Sequence, residues 1–238
     1  MKNMKIIADL HCHTVASNHA YSTIRENIKA AKKANLYALA ITDHGVGCPD
    51  GPPNSYFENL TSLPAYVDGI RLLYGVEANI MDFGGTLDIQ ESSLKNLQLV
   101  IASFHETCIK PGTKEQHTVA YLKIAENPYV HIIGHPGTPE YAFDYEKVLP
   151  IFKKYKKIVE INTHTFICRK RSIPNCRAIV KLCKQYEIPI VVNSDAHSEF
   201  EVAQWGNVLS MLDEMDFPEE LVINSSVERL KKYMSQIL

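Results

Sequence analysis

Histidines and carboxylates that could bind metal ions recur along this chain at nearly constant intervals. The intervals are 33, 33, 28, 30 and 60 residues between His11, His44, Glu77, His105, His135 and Asp195. Imidazole and carboxylate groups are the side chains with which proteins hold zinc, manganese and iron. One βα unit takes about 30 residues. One candidate metal ligand therefore occurs in each unit. The interval of 60 residues between His135 and Asp195 corresponds to two units, with the sixth strand between them.

Each candidate ligand closely follows a short apolar run. The runs cover residues 6–10, 38–42, 72–76, 99–103, 130–133, 158–161 and 188–192. Continuous apolar runs are typical of parallel strands that are covered on both faces. We therefore predict seven parallel strands with polar residues at their C-terminal ends. The sixth run contributes Glu160, Asn162 and His164, for which the sequence indicates no single role.

Helical patterns separate these runs. Thr23 with Glu26, and Thr113 with Gln116, have the spacing of helix capping boxes, and a final helix is predicted after Ser225. Alternating strands and helices indicate an α/β fold with a parallel sheet. In a parallel α/β barrel the C-terminal ends of the strands form the catalytic face, so the polar residues would meet there.

Taken singly, each of these residues has an ordinary explanation, because a lone histidine at a strand end is more often structural or solvated than a ligand. The joint pattern is harder to explain by packing, since burying imidazoles without partners is costly. Residues two apart in a strand face the same side, which would pair His11 with His13 and Asp195 with His197. We predict nine metal ligands: His11, His13, His19, His44, Glu77, His105, His135, Asp195 and His197.

Nine ligands are too many for one ion. A zinc ion takes about four ligands, so nine suit two or three ions. Imidazole and carboxylate ligands without thiolate suit zinc, manganese or iron, and zinc is the ion we expect first. Asp9 and Asp43 could orient histidine ligands or simply hydrogen-bond within the barrel. His117 is predicted on the surface and His131 in a structural role, while His164 could lie near the site or in solvent.

Length and composition indicate one soluble domain over residues 1–238, with 45% apolar and 22% charged residues. A net charge of -2 does not favour nucleic acid as a partner. The first eight residues lack the apolar core of a signal peptide, and no stretch is long enough to span a membrane, so we expect a cytoplasmic protein. The six cysteines lack zinc-finger spacing and are expected to be reduced, with Cys12 in the core. The sequence leaves open whether the protein forms a homo-oligomer.

The motifs together resemble those of the polymerase and histidinol phosphatase (PHP) family. They cover residues 9–14, 41–45, 75–79, 104–106, 134–137 and 193–197, in the family's order. Residues 14–22 resemble the stand-alone YcdX-type phosphatase branch of that family. The resemblance extends over essentially the whole chain, and it implies a distorted (βα)7 TIM-like barrel with three metal ions at the C-terminal ends of its strands.

The resemblance also implies how the ligands are shared. One ion would be held by His11, His13, Glu77 and Asp195, a second by Glu77, His105 and His135, and a third by His19, His44 and His197. Glu77, Asp195 and Arg169 are the expected catalytic residues. Arg169 would clamp phosphate, with a solvated arginine as the alternative reading. The chain departs from the family pattern at His164, where the family leads us to expect a small polar residue.

The predicted function is hydrolysis of small phosphate monoesters. Clustered divalent ions suit this reaction because they lower the pKa of bound water and neutralise phosphate charge. One alternative is a phosphodiesterase or 3′–5′ exonuclease of the same family, which the lack of basic charge disfavours. Another is a non-catalytic, metal-binding regulatory domain, which the complete ligand set disfavours. The expected partner is a small phosphorylated substrate, with neither membrane nor nucleic acid.

Overall fold

In the computed structural model of this protein, residues 4–235 are described. Three of the first eight residues, on which the signal-peptide expectation rests, lie outside that range. The strands are β1 (Ala8–Asp9), β2 (Ala38–Ile41), β3 (Tyr66–Val67), β4 (Ile70–Asn79), β5 (Leu99–Ser103), β6 (Ile132–Ile133), β7 (Ile158–Asn162) and β8 (Ile190–Asn193). The helices are α1 (Ile24–Lys33), α2 (Asn54–Asn59), α3 (Glu91–Leu94), α4 (Lys114–Glu126), α5 (Tyr145–Lys154), α6 (His164–Ile167), α7 (Ile173–Tyr186), α8 (Gly206–Glu214) and α9 (Val227–Met234).

Seven strands are parallel and lie side by side in the order β1-β2-β4-β5-β6-β7-β8. Each of the seven apolar runs overlaps one of these strands, as predicted. β3 was not predicted, and it pairs antiparallel with the start of β4. Asp68 and Gly69 connect β3 to β4, both with positive φ, of 50° and 87°. Such an Asp-Gly pair is a typical two-residue hairpin turn, so the signal for β3 was present in the sequence.

The outer strands β1 and β8 approach each other and nearly close the sheet into a barrel. Beyond the C-terminal ends of these strands, Cys12 and Ala196 form an isolated parallel bridge. Within the two strands, the side-chain amide of Asn224 donates to the carbonyls of Ala8 in β1, at 2.8 Å, and Val192 in β8, at 2.6 Å. One side chain thus replaces missing strand-to-strand hydrogen bonds. The predicted distorted (βα)7 barrel is confirmed.

The predicted capping boxes begin two helices. Thr23 caps α1 and Thr113 caps α4, and in each case both reciprocal hydrogen bonds form. The predicted start of the last helix was wrong by one residue. Ser226 caps α9 by accepting from the Arg229 amide, whereas the Ser225 hydroxyl donates to the Val222 carbonyl at 2.7 Å.

The starts of the strands and α9 share one apolar cluster. Its members are Ile7, Ala8, Leu10, Ala38, Ala40, Leu73, Leu99, Ile101, Ile132, Ile158, Val191, Ile223, Leu230 and Met234. A second, larger cluster packs the helices against the sheet and includes Cys12, as expected. All six cysteines are free thiols, which also agrees with the expectation. Within residues 4–235, no helix is long and apolar enough to cross a membrane.

Candidate metal centre

The nine predicted ligands converge at the C-terminal ends of the parallel strands. Each comes from the end of a strand or from the loop that follows it. Six of them line one cavity of about 460 Å³: His19, His44, Glu77, His105, Asp195 and His197. His11, His13 and His135 lie beneath the surface, with 0%, 0% and 6% of their area exposed. The barrel therefore places a buried cluster of imidazoles and carboxylates under an open cavity.

Four of these side chains surround one point. His11 Nε2 lies 3.1 Å from His13 Nε2 and 3.5 Å from Asp195 Oδ1, and the distance from His13 Nε2 to Asp195 Oδ1 is 3.2 Å. Glu77 Oε2 lies 3.3 Å from His11 Nε2 and 3.5 Å from His13 Nε2. Two ligands of one tetrahedral zinc ion, each about 2.0–2.1 Å from the metal, stand roughly 3.3–3.4 Å apart. The five distances fit a single tetrahedral shell.

The second oxygen of Glu77 faces a different pair of histidines. Glu77 Oε1 lies 2.9 Å from His135 Nε2 and 3.4 Å from His105 Nε2. Because the two oxygens of one carboxylate belong to two ligand sets, Glu77 has the position of a bridging ligand.

A third set lies at the mouth of the cavity. His19 Nε2 is 3.0 Å from His197 Nε2 and 3.3 Å from His44 Nε2. These two separations again match ligands of one ion, and the three histidines are those that the resemblance assigns to the third ion.

Unpaired buried atoms indicate that the cluster is built for cations. Glu77 Oε2 is buried and has no hydrogen-bond partner among the described residues. The Nδ1 atom of His44 lies 2.8 Å from it, but the two atoms are not joined by a hydrogen bond. Burial raises the pKa of Glu77, but the charges of His11, His105 and His44 outweigh it and hold that pKa well below its ordinary value. An anionic, buried and unpaired oxygen is costly unless a cation neutralises it.

Hydrogen bonds on the far side of three of the rings aim their Nε2 atoms inward. His11 Nδ1 lies 2.7 Å from Glu160 Oε1, and His105 Nδ1 lies 2.6 Å from Asn79 Oδ1. His197 Nδ1 donates to the backbone carbonyl of Asp195 at 2.9 Å. Such contacts fix the proton on Nδ1 and leave the Nε2 lone pair free for a metal ion.

Two of the ligands have unusual backbone geometry. His135 has φ of 27° and Asp195 has φ of 58°, in the left-handed region that residues other than glycine rarely adopt. The amide of His135 donates to Glu160 Oε2 at 2.9 Å, which helps to hold this conformation. Strained residues of this kind concentrate at functional sites.

Comparison with known proteins agrees with this geometry. The sequence pattern of the family described as "PHP domain" matches residues 9–164. This chain belongs to the PHP family. A probable phosphatase of Acetivibrio thermocellus is 44% identical over 233 residues, covering 98% of this chain and 97% of the relative. A probable phosphatase of Clostridium novyi is 43% identical, covering 97% and 95% of the two chains.

A solved structure has the same fold. It is histidinol phosphate phosphatase from Lactococcus lactis, complexed with zinc, L-histidinol and phosphate. The TM-score is 0.63 at 18% identity, covering 89% of this chain and 94% of that one. At this identity the likeness concerns the fold, and it agrees with the barrel described above.

Arg169 lies in the cavity wall of this PHP protein. Its Nη2 contacts Asp195 Oδ2 and lies 3.4 Å from Asn162 Oδ1, and its side chain is 27% exposed. Arg171, two residues on, is 83% exposed and pairs with Glu140 at 2.9 Å. Of the two readings left open for Arg169, the position beside the ligands is the one that the structure adopts, while its role as a phosphate clamp stays a prediction.

His117 and His131 lie outside the cluster and hydrogen-bond to backbone groups. The prediction for His117 was wrong, since it is 2% exposed. Its ring accepts from the Gly112 amide and donates to the Ala142 carbonyl, both at 2.9 Å, so it ties two loops together. His131 accepts from the Val100 amide at 3.0 Å, in agreement with a structural role.

Asp9 and Asp43 accept hydrogen bonds from loop amides and hydroxyls rather than from histidine rings. Asp9 accepts from the amides of Ser194 and Ala203. Asp43 accepts from Thr14, Ser17 and Tyr56. Of the two alternatives for these carboxylates, hydrogen bonding within the barrel is therefore the one observed, because loop amides and hydroxyls need acceptors there.

Glu160 and Glu201 are the site residues to which the sequence gave no role. Glu160 lies in β7, and its side chain contacts His11 and the His135 amide. Its place near the end of the sixth apolar run could have indicated a position in the site. Glu201 lies four residues after His197 and accepts from the His197 amide at 2.7 Å. It sits in a segment without periodicity, so no sequence signal marked it. His164, left open before, lies 8% exposed in the cavity wall.

Proposed function

We propose that this PHP-family phosphatase hydrolyses small phosphate monoesters at a centre of three divalent metal ions. The observation that carries the proposal is Glu77, whose two buried oxygens face two separate ligand sets beside a third set of histidines. The curated relatives named probable phosphatase support a phosphoric ester as substrate. Zinc is the first candidate ion, and it is named in the complex of the Lactococcus lactis enzyme; manganese and iron are the alternatives.

The metals and the protein would have separate tasks. Bound divalent ions lower the pKa of water and neutralise the charge of a phosphate group. The chain itself holds the imidazoles in one orientation through Glu160 and Asn79, so that no side chain has to reorganise during the reaction. Asp195 keeps its charge because His11 and Arg169 outweigh the effect of burial and hold its pKa well below the ordinary value.

Arg169 is suited to bind the phosphate group. Its Nε atom is buried and has no hydrogen-bond partner within residues 4–235. The contact with Asp195 Oδ2 fixes the guanidinium at the cavity wall. A guanidinium with unused donors matches two phosphate oxygens at once.

The cavity suits a small substrate better than a nucleic acid. Among the described residues that line it, Arg169 is the only arginine or lysine, and Asp50 and Glu106 also lie there. A polymer of phosphates would meet these carboxylates without a row of cations to balance them. A single phosphate group needs only the metal ions and Arg169.

The test compares three substrates with one metal-loaded preparation. We expect faster release of inorganic phosphate from a small monoester than cleavage of a phosphodiester or of single-stranded DNA. The preference should persist at low salt, where counterion release most favours nucleic acid binding. A higher kcat/KM on the diester or on DNA ends would assign the chain to the nuclease alternative. Bound metal without hydrolysis of any ester would support the regulatory alternative.

Arg169→Ala tests the role of the guanidinium. Loss of a charge-assisted contact to the transition state should reduce kcat/KM by about 1.5–3 kcal/mol, roughly 10- to 150-fold, with metal content unchanged. The matched control is Arg171→Ala, since Arg171 lies on the same loop but is 83% exposed. Equal activity of the two variants would remove Arg169 from the reaction.

A further inference from the structure

Asp88 is a half-buried carboxylate that belongs to none of the three proposed ligand sets. It follows a turn that leaves the end of β4 and returns to it, with Ile80 and Leu87 paired across the turn. The Asp88 amide donates to the Asn79 carbonyl at 3.2 Å. The turn therefore brings Asp88 back beside the last residue of β4.

Both oxygens of Asp88 accept hydrogen bonds from N–H groups. Oδ1 accepts from the backbone amide of Asn79 at 2.8 Å, and Oδ2 accepts from the backbone amide of Gly47 at 2.7 Å. Oδ2 also accepts from the side-chain Nδ2 of Asn79, at 2.5 Å. The carboxylate cannot rotate without giving up one of these bonds, so its orientation is fixed.

The fixed carboxylate determines which way the Asn79 side chain faces. In an amide Nδ2 only donates and Oδ1 only accepts. Asn79 Nδ2 lies against Asp88 Oδ2 and 3.4 Å from the Gly45 carbonyl, and both of these groups are acceptors. Reversing the amide would turn its oxygen toward both acceptors. Oδ1 must therefore face the ring of His105, where it lies 2.6 Å from Nδ1.

The loop after β2 leaves room for this carboxylate. A Cβ at Gly45 would lie 2.3 Å from Asp88 Oδ1 and 2.4 Å from Oδ2. Because three hydrogen bonds hold the carboxylate, it could not move aside for a side chain there. The backbone of the loop and the side chain of Asp88 are thus fitted to each other, next to the candidate ligand His44.

We infer that Asp88 is a positioning residue for the second ion, because it orients Asn79, which in turn holds the ring of His105. The inference rests on the proposed three-ion centre and adds to it a residue from outside the ligand sets. Hydrogen bonds that orient a ligand histidine change metal affinity by about 10- to 100-fold when they are lost.

Asp88→Asn tests this role with little change of shape. The new side chain has one accepting oxygen where the carboxylate receives three N–H groups. Whichever way it turns, its NH2 group faces a backbone amide and a hydrogen bond is lost. Competition with a chromophoric chelator measures the Kd of each ion, and the Kd that His105→Ala raises most identifies the second ion. We expect Asp88→Asn to raise that Kd about tenfold and to leave the other two unchanged.

The matched control is Asp82→Asn on the same turn. Asp82 is exposed and accepts from the Thr86 amide at 3.0 Å. It is joined to the turn alone, so its replacement should leave all three Kd values and phosphate release as in the parent.

A double-mutant cycle separates positioning from a general structural role. Asn79→Ala should raise the Kd of the second ion about 10- to 100-fold. If Asp88 acts through Asn79, adding Asp88→Asn to that variant should change the Kd by less than about twofold, since contacting residues of one network are not additive. If Asp88→Asn does not fold, Asp88→Ala replaces it in the cycle, because alanine puts no donor against the two backbone amides.

The outcomes distinguish the inference from the proposed function. Additive losses in the cycle, equal losses at all three ions, or an unchanged Kd in Asp88→Asn would overturn the inference and leave the three-ion phosphatase intact. Failure of both Asp88 variants to fold would do the same, since a positioning residue is not required for folding. A parent enzyme that binds one ion or none would overturn the proposed centre, and the inference with it.

Discussion

Glu77 is the residue on which the candidate site depends most. It lies at the end of the long strand β4, and 0% of its surface is exposed. Its Oε2 faces the first ligand pair, His11 and His13, while its Oε1 faces His105 and His135. A change at this one side chain should therefore affect two of the proposed ion sites together.

Glu77→Gln should remove about two metal ions and abolish phosphatase activity. An amide has one acceptor oxygen and no charge, so it cannot bridge two cations as a carboxylate does. Elemental analysis and phosphate release measure the two effects. Glu126→Gln, a matched change on the exposed face of α4, should retain metal and activity. Full activity of the Glu77 variant would remove the bridging role.

At this scale the sequence predicted which side chains meet better than it predicted their surroundings. The spacing of His11, His44 and Glu77 placed one ligand in each βα unit, and these side chains do meet. It could not show that His117 is buried, because that depends on hydrogen bonds to loops distant from α4. It also could not assign Glu201, whose partners are defined only when the loop after β8 packs beside α6.

The elements are set by apolar runs and by a few positions at which only glycine fits. Gly134 separates β6 from the ligand His135. A Cβ at Gly134 would lie 2.1 Å from Ser103 Oγ and 2.9 Å from Ile101 Cγ2 on the neighbouring strand β5. The sequence predicted both strands, because each is a continuous apolar run. It did not show that side chains of β5 pack directly against Gly134, since that contact depends on how the strands pair.

Gly134→Ala should reduce the free energy of unfolding by about 1–3 kcal/mol, the usual cost of overpacking, and weaken metal binding at His135. Urea denaturation and elemental analysis measure the two effects. Ser103 Oγ is buried without a hydrogen-bond partner, so adding Ser103→Ala should restore part of the stability.

The matched control for the Gly134 variant is Gly206→Ala at the start of α8. A Cβ there meets no heavy atom within 4 Å, so this change should be neutral or slightly stabilising. If Gly134→Ala were as stable as Gly206→Ala, the close approach of β5 and β6 would not limit the position of His135.

The whole molecule divides into two halves with opposite chemistry. The starts of the strands fill the barrel with apolar side chains, closed below by α9. The ends of the strands and the loops after them carry the seven candidate histidine ligands together with Glu77, Glu160 and Asp195, and all three carboxylates are buried. An apolar core can hold the fold together by itself, but a buried cluster of this composition needs cations to neutralise its carboxylates.

Metal removal should therefore destabilise the protein without unfolding it. Gently purified protein should contain more than one transition-metal ion per chain, approaching three, by elemental analysis. A chelator should lower the melting temperature, because each ion that binds only the folded state adds about 2.7 kcal/mol at a hundredfold excess over its Kd. For a chain of this size that amounts to roughly 5–10 °C per site. Added zinc or manganese should restore both the melting temperature and the activity. One ion or none, in folded protein never exposed to a chelator, would contradict the three-ion centre while leaving the barrel unaffected.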